Sequence, residues 1–175
     1  MPRVNVARPA PSEHIEYYAR YIDLVPDGDL LGQLERQCKQ TVTLLSGISP
    51  KQSQFRYAPG KWSVREVIGH VSDAERVFAY RALTFARADA TALPAFDENA
   101  WASASNAGER SLGDVVKEFE AVRGATLAMF RGFNEEQFAR SGMANNNRIS
   151  VRALAYVIAG HERHHVKILQ EKYLV

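Results

Sequence analysis

Apolar residues recur every three to four positions over most of the chain, and proline and glycine break that rhythm at residues 8–11, 26–28, 59–60 and 94. The period is that of amphipathic helices, and strand-like alternation is scarce. A first helix is predicted over residues 29–45, with Leu30, Leu34, Cys38, Val42 and Leu45 on one stripe and Gly47 as its stop. Ser63 is a good N-cap, and Glu66 three residues on completes a capping box. A second helix therefore starts there and carries Val64, Val67, Ile68, Val71 and Phe78 to about residue 88. Ser111 with Asp114 opens a third, bearing Val115, Phe119, Val122, Leu127 and Phe130. Ser150 opens a fourth, which runs through Leu154, Val157, Ile158, His161, His165 and Leu169.

Four long amphipathic helices predict an all-α four-helix bundle in a single domain, residues 1–175, with residues 1–27 as an N-terminal extension packing on a bundle of residues 28–175. The connections are unequal. Residues 48–62 and 89–110 are long, which suits a non-sequential bundle topology, whereas residues 132–149 contain a short helical turn around 135–138. The run Asn145-Asn146-Asn147 reads as a loop or cap.

Composition narrows the class. With 46% hydrophobic and 24% charged residues over 175 positions, the chain has ordinary globular balance. At this length about two-thirds of the surface is buried on folding, so stability needs neither disulfides nor a structural metal, and a bound metal is left for chemistry. The 22 basic and 20 acidic residues are scattered and give a net charge of +2, without the basic run that tracks phosphates, so nucleic acid is excluded as an expected partner. The single cysteine, Cys38, has no internal disulfide partner and reads as a core residue in a reducing compartment. Residues 1–10 lack the apolar segment of a signal peptide, and no apolar stretch approaches the ~18–20 residues needed to cross a bilayer. The expectation is a cytoplasmic protein with no membrane partner.

Three of the five histidines fall in the string His161-Glu162-Arg163-His164-His165, an H-E-x-x-H match. Residues four apart on a helix stand on one face, so His161 and His165 can offer two imidazole nitrogens to one ion. His70, in the middle of the second helix among core-facing residues, supplies a third; alone it would read as a core histidine bonded to a carbonyl or carboxylate. Three neutral ligands with an open position form the pattern of catalytic zinc sites. A zinc-protease reading fits poorly, because only ten residues follow His165 and Glu171 is the sole acid among them. A di-iron reading needs two Glu-x-x-His pairs; Glu162 and His165 make one, but Glu66 and His70 have the wrong spacing. A mononuclear site with His164 outside it is the better reading.

The run Pro59-Gly60-Lys61-Trp62-Ser63-Val64-Arg65-Glu66-Val67-Ile68-Gly69-His70, then Asp73-Ala74-Glu75-Arg76 and Tyr80-Arg81-Ala82-Leu83, resembles the DinB-like superfamily of metal-binding four-helix proteins, which includes the YfiT-like proteins. Tyr17-Tyr18, Tyr21-Ile22, Val25-Pro26, residues 93–97 and the H-x-x-x-H pair extend the likeness over nearly the whole chain. The resemblance implies an up-down-down-up bundle with a long crossover, frequent homodimers, and one divalent ion held by His70, His161 and His165. It also implies transfer or isomerisation reactions assisted by low-molecular-weight thiols such as bacillithiol or mycothiol.

An ion on three neutral imidazoles keeps its double charge and so lowers the pKa of a bound water or thiol. The leading expectation is a thiol-dependent S-transferase in which the metal activates a small thiol against a small-molecule electrophile. The alternatives are a hydrolase using metal-bound hydroxide and a non-enzymatic, stress-related metal-binding protein. Zinc or nickel is expected, with iron or copper also accepted by imidazoles. Glu162 is a candidate base, a candidate acceptor from a ligating imidazole, or a solvated partner of Arg163, and Asp73 is a candidate for orienting an imidazole. Arg81 can bind an anionic substrate or form an ion pair. Trp62, with Phe55 and Tyr57, either walls a binding cleft or acts as a hydrophobic staple. Residues 89–110, with Phe96, Asp97 and Trp101, suit a lid or a dimer contact.

Overall fold

The structure, a computed structural model, describes residues 5–174; residues 1–4 and 175 of the expected domain lie outside the described residues. Four long helices dominate: α2 (Leu30–Ser46), α4 (Val64–Ala86), α6 (Leu112–Arg131) and α8 (Val151–Lys172). Shorter helices α1 (Glu16–Ile22), α3 (Pro50–Ser53), α5 (Glu98–Ala104) and α7 (Glu135–Ala139) lie between or before them. The starts follow the local chemistry read from the sequence: Ser63 accepts from the Glu66 amide while Glu66 reaches back, and Ser111 and Ser150 accept from the Asp114 and Ala153 amides.

Directions follow from which ends meet. The Tyr173 hydroxyl, just past α8, donates to the Trp62 carbonyl just before α4 at 2.7 Å, so these two helices are antiparallel. Leu45 and Leu169 share one apolar cluster, while Leu30 and Leu34 share another with Leu154 and Ile158, so α2 runs with α8. Val64 and Val67 pack with Val115 and Phe119, which makes α4 and α6 parallel. The bundle is therefore up-down-down-up. Parallel neighbours α4 and α6 require a connection that travels the length of the bundle, which accounts for the long crossover over residues 87–111.

Besides the short helices α1, α3 and α5, a hairpin appears that the sequence pattern does not predict. Strands β1 (Ser141–Ala144) and β2 (Asn147–Ser150) form an antiparallel hairpin, so Asn145 and Asn146 are its turn rather than a featureless loop. Both take positive φ, 50° and 58°, as a two-residue turn of this twist demands and as Asn tolerates. The crossover is pinned to this hairpin: the Leu93 amide donates to the Met143 carbonyl at 2.9 Å, and the Asn145 amide to the Leu93 carbonyl at 3.0 Å.

The core has two apolar halves, and a polar layer crosses all four helices between them. One half holds Leu30, Leu34, Phe85, Phe130 and Leu154; the other holds Leu45, Val67, Phe119 and Leu169. Between them lie Gln37 and Thr41 on α2, His70 and Glu75 on α4, Arg123 on α6, and His161 and Glu162 on α8, all buried. The N-terminal segment closes one side, contributing Tyr21, Ile22 and Val25 to the first half. It approaches very closely: a Cβ on Gly160 of α8 would sit 1.9 Å from the Tyr21 carbonyl oxygen, so only glycine admits α1 there.

Candidate metal centre

α4 and α8 bring His70, His161 and His165 to one point. His161 Nε2 lies 3.1 Å from His70 Nε2 and 3.1 Å from His165 Nε2. His70 and His161 are 3% and 4% exposed, and His165 is partly buried. Burial lowers the His70 pKa to about 4. It also holds His161 and His165 well below the ordinary imidazole value, with their neighbouring imidazoles acting in the same direction. At neutral pH all three are neutral bases.

That arrangement is unsatisfied by protein alone. Nε2 of a neutral imidazole carries either one proton or one lone pair, so His161 Nε2 can complete a hydrogen bond with one of its two neighbours and not with both. A cation at the centre would satisfy all three. The separations also suit one: bonds of ~2.0–2.1 Å at tetrahedral angles set ligand nitrogens roughly 3.3 Å apart. Among the described residues, these three form the group of ligand-type side chains able to hold a metal, and His164 stands outside it. The His164 ring lies 5.2 Å from His165 and 5.5 Å from Tyr21.

Aromatic residues wall the cluster. The Trp62 ring is 4.7 Å from His70, Tyr21 is 5.3 Å from His161, and Phe78 is 6.0 Å from His161. On the α1 side opens a cleft of about 400 Å³, with His70 and His161 in its wall beside Tyr18, Phe78, Arg81 and Phe96. Phe96 comes from the long crossover, which thus roofs the cleft, and Asp97 caps α5 by accepting from the Asn99 and Ala100 amides. Phe55 and Tyr57 pack edge-on against Tyr173, away from this cleft.

Glu162 departs from expectation. It is not the solvated partner of Arg163, and its carboxylate bonds Arg123, Thr41 and Gln37 rather than an imidazole. Its side chain is 1% exposed and lies 2.7 Å from Arg123, itself 1% exposed. Thr41 and Gln37 also donate to it. Arg123 additionally binds Glu75 through two bonds, at 2.9 and 2.8 Å. Burial opposes the Arg123 charge, but Glu75 and Glu162 outweigh it and raise its pKa. One residue of α8 turns the chain by about 100°, which takes Glu162 off the His161 face and into the polar layer. Asp73 is also displaced from its expected role. It accepts from Arg76 at 3.2 Å, in the field of Glu118 and Arg110, on the α6 side of α4 rather than against an imidazole.

Trp62 and Arg81 do adjoin the site, Trp62 against His70 and Arg81 in the cleft. Tyr18, Phe78 and the layer of Gln37, Thr41, Glu75 and Arg123 were not singled out from the sequence as site residues. The signal for the layer was present: Arg123 sits midway between Phe119 and Leu127 on the α6 apolar stripe, where a solvated arginine has no place.

The model of the DinB superfamily matches residues 33–169. A protein of Oceanobacillus iheyensis, named as a proposed metal-dependent hydrolase, is 25% identical over 138 residues, covering 78% of this chain and 79% of its own. YfiT of Bacillus subtilis, named in the same way, is 21% identical over 144 residues, covering 81% and 79%. The solved structure of B. subtilis YfiT, described as an unusual four-helix bundle topology, matches with a TM-score of 0.70 at 20% identity, covering 96% of this chain and 95% of that one. No described helix is long and apolar enough to cross a membrane. The family match spans the helices that carry all three histidines, and the chain belongs to the DinB superfamily.

Proposed function

We propose that this protein is a metal-dependent hydrolase of small molecules, with a divalent ion held by His70, His161 and His165. The observation that carries the reading is the meeting of three neutral imidazole nitrogens, two of them, on the buried His70 and His161, in the wall of a cleft large enough for a small substrate. The names of the two relatives favour hydrolysis as the reaction.

A divalent ion on three neutral ligands supplies Lewis acidity, polarising a carbonyl and lowering the pKa of a water or thiol. The residues of the chain do the rest. α4 and α8 fix the imidazoles on rigid helices rather than on loops, so the ligand geometry is set before an ion arrives. Trp62, Tyr21 and Phe78 exclude water around the imidazoles, which strengthens electrostatic interactions there. Glu162, tied to Arg123, helps anchor α8 to α6 in the bundle.

The same ligand set would serve the thiol-dependent S-transfer expected from the resemblance. One assay separates the two: turnover of short esters and amides by zinc- or nickel-loaded protein, with and without a low-molecular-weight thiol. Turnover independent of thiol, abolished by chelation and by His165→Ala, supports hydrolysis. Turnover that requires thiol assigns S-transfer instead, and turnover indifferent to metal removal overturns both.

A further inference from the structure

The cleft holds a second element of recognition besides the histidines. Arg81, two turns beyond His70 and one further along α4, is 3% exposed and lines the cleft. Its Nη2 donates to the Pro94 carbonyl at 2.7 Å, which ties the guanidinium to the crossover. Among the described residues it has no carboxylate partner within ion-pair distance. That contrasts with Arg123, equally buried but held by two acids. A guanidinium offers five donors and is always charged, and burying one without a counter-charge is costly, so such residues are kept where an anion arrives from outside.

The other charges around the cleft do not neutralise it. Glu98 is the acidic residue in the lining; it is exposed and acts on Arg20, whose guanidinium stacks on Tyr17 and Tyr21. Tyr18 stands beside Arg81: burial raises its pKa and the Arg81 charge pulls it back, placing a hydroxyl next to the guanidinium. Phe78 links the two ends of the cleft. Its ring is 6.0 Å from the Arg81 guanidinium carbon and 6.0 Å from the His161 ring, so the cation and the histidines are no further apart than those two steps laid end to end.

We propose that Arg81 is a carboxylate-binding residue, and that the cleft takes short substrates bearing a carboxylate a few bonds from the bond presented to the histidines. Phe78, Tyr18 and Phe96 supply the apolar wall for the body between. This rests on the hydrolase reading for what happens at the histidine end, but not for the anion site itself.

The test therefore uses metal-free protein, in which a carboxylate has no ion to bind. Titration with 3-phenylpropionate and with its neutral amide, followed by amide chemical shifts, is expected to show at least tenfold tighter binding of the carboxylate, with shifts around Arg81, Tyr18 and Phe78. Arg81→Gln, which keeps a donor for Pro94 but no charge, should abolish the preference, and Arg81→Lys should restore part of it. Equal binding of acid and amide, binding of neither, or a preference that survives in Arg81→Gln overturns the proposal. If the carboxylate preference holds while no ester is turned over, the anion site stands and the hydrolase reading falls.

Discussion

His161 and Glu162 are consecutive on α8 yet serve different sides of it: the imidazole meets His70 and His165, and the carboxylate meets Arg123 at 2.7 Å. The histidine cluster and the polar layer are thus two faces of one helical turn. The H-E-x-x-H string supplies both, its histidines to the cluster and its glutamate to the polar layer.

Removing Arg123 should expose how much that layer contributes. Arg123→Met leaves Glu75 and Glu162 buried without their cation, and breaking a buried ionic group of this kind costs about 3–5 kcal/mol. Urea unfolding of the metal-free protein measures it. Glu162→Gln should lose stability too, but keep its bound metal and most of its turnover. A total loss of turnover in a folded, metal-loaded Glu162→Gln protein would restore Glu162 as a catalytic base.

Acid should destabilise the metal-free protein through the same histidines. Burial lowers the His70 pKa from 6.5 to about 4, so between those values the unfolded chain binds a proton that the folded chain refuses. Stability therefore falls as pH drops from about 6.5 towards 4, by at most about 1.4 kcal/mol per pH unit for each such imidazole, and His161 and His165 act in the same direction. Thermal melts at pH 7.5 and 5.0 should show it, and His70→Phe should flatten the dependence. A melting temperature that rises on acidification contradicts this account.

Gly160→Ala pits two effects against each other. Alanine is favoured over glycine within a helix by up to ~1 kcal/mol. The added Cβ, however, would stand 1.9 Å from the Tyr21 carbonyl oxygen, a backbone atom, and the forced shift should cost about 1–3 kcal/mol. The clash wins, α1 moves outward, and Tyr21 leaves its place 5.3 Å from His161. Differential scanning should find a lower melting temperature; an unchanged or higher one would mean that α1 is not packed against α8 as described.

The long helices and the histidine face were legible because each depends on local spacing: Ser63 with Glu66, Ser111 with Asp114, and His161 with His165 are all pairs three or four residues apart. Much of what escaped depends on partners far along the chain. Glu162 looks solvated beside Arg163, and only the fold shows that Arg123 lies against it. Asp73 shares a helix with His70 but faces α6, a distinction the spacing blurs. The hairpin escaped because its strands are four residues each, too short for alternation to register. Asn145-Asn146 was its one available signal.

The central claim is a single ion on His70, His161 and His165, and elemental analysis of untagged protein tests it most directly, alongside His70→Ala, His165→Ala and, as a control, Glu162→Gln. We expect about one zinc or nickel ion per chain in the natural protein and in Glu162→Gln, and its loss in both histidine variants while circular dichroism shows the helices intact. No ion after incubation with either metal, or an ion retained undiminished in folded His70→Ala and His165→Ala, would contradict the account.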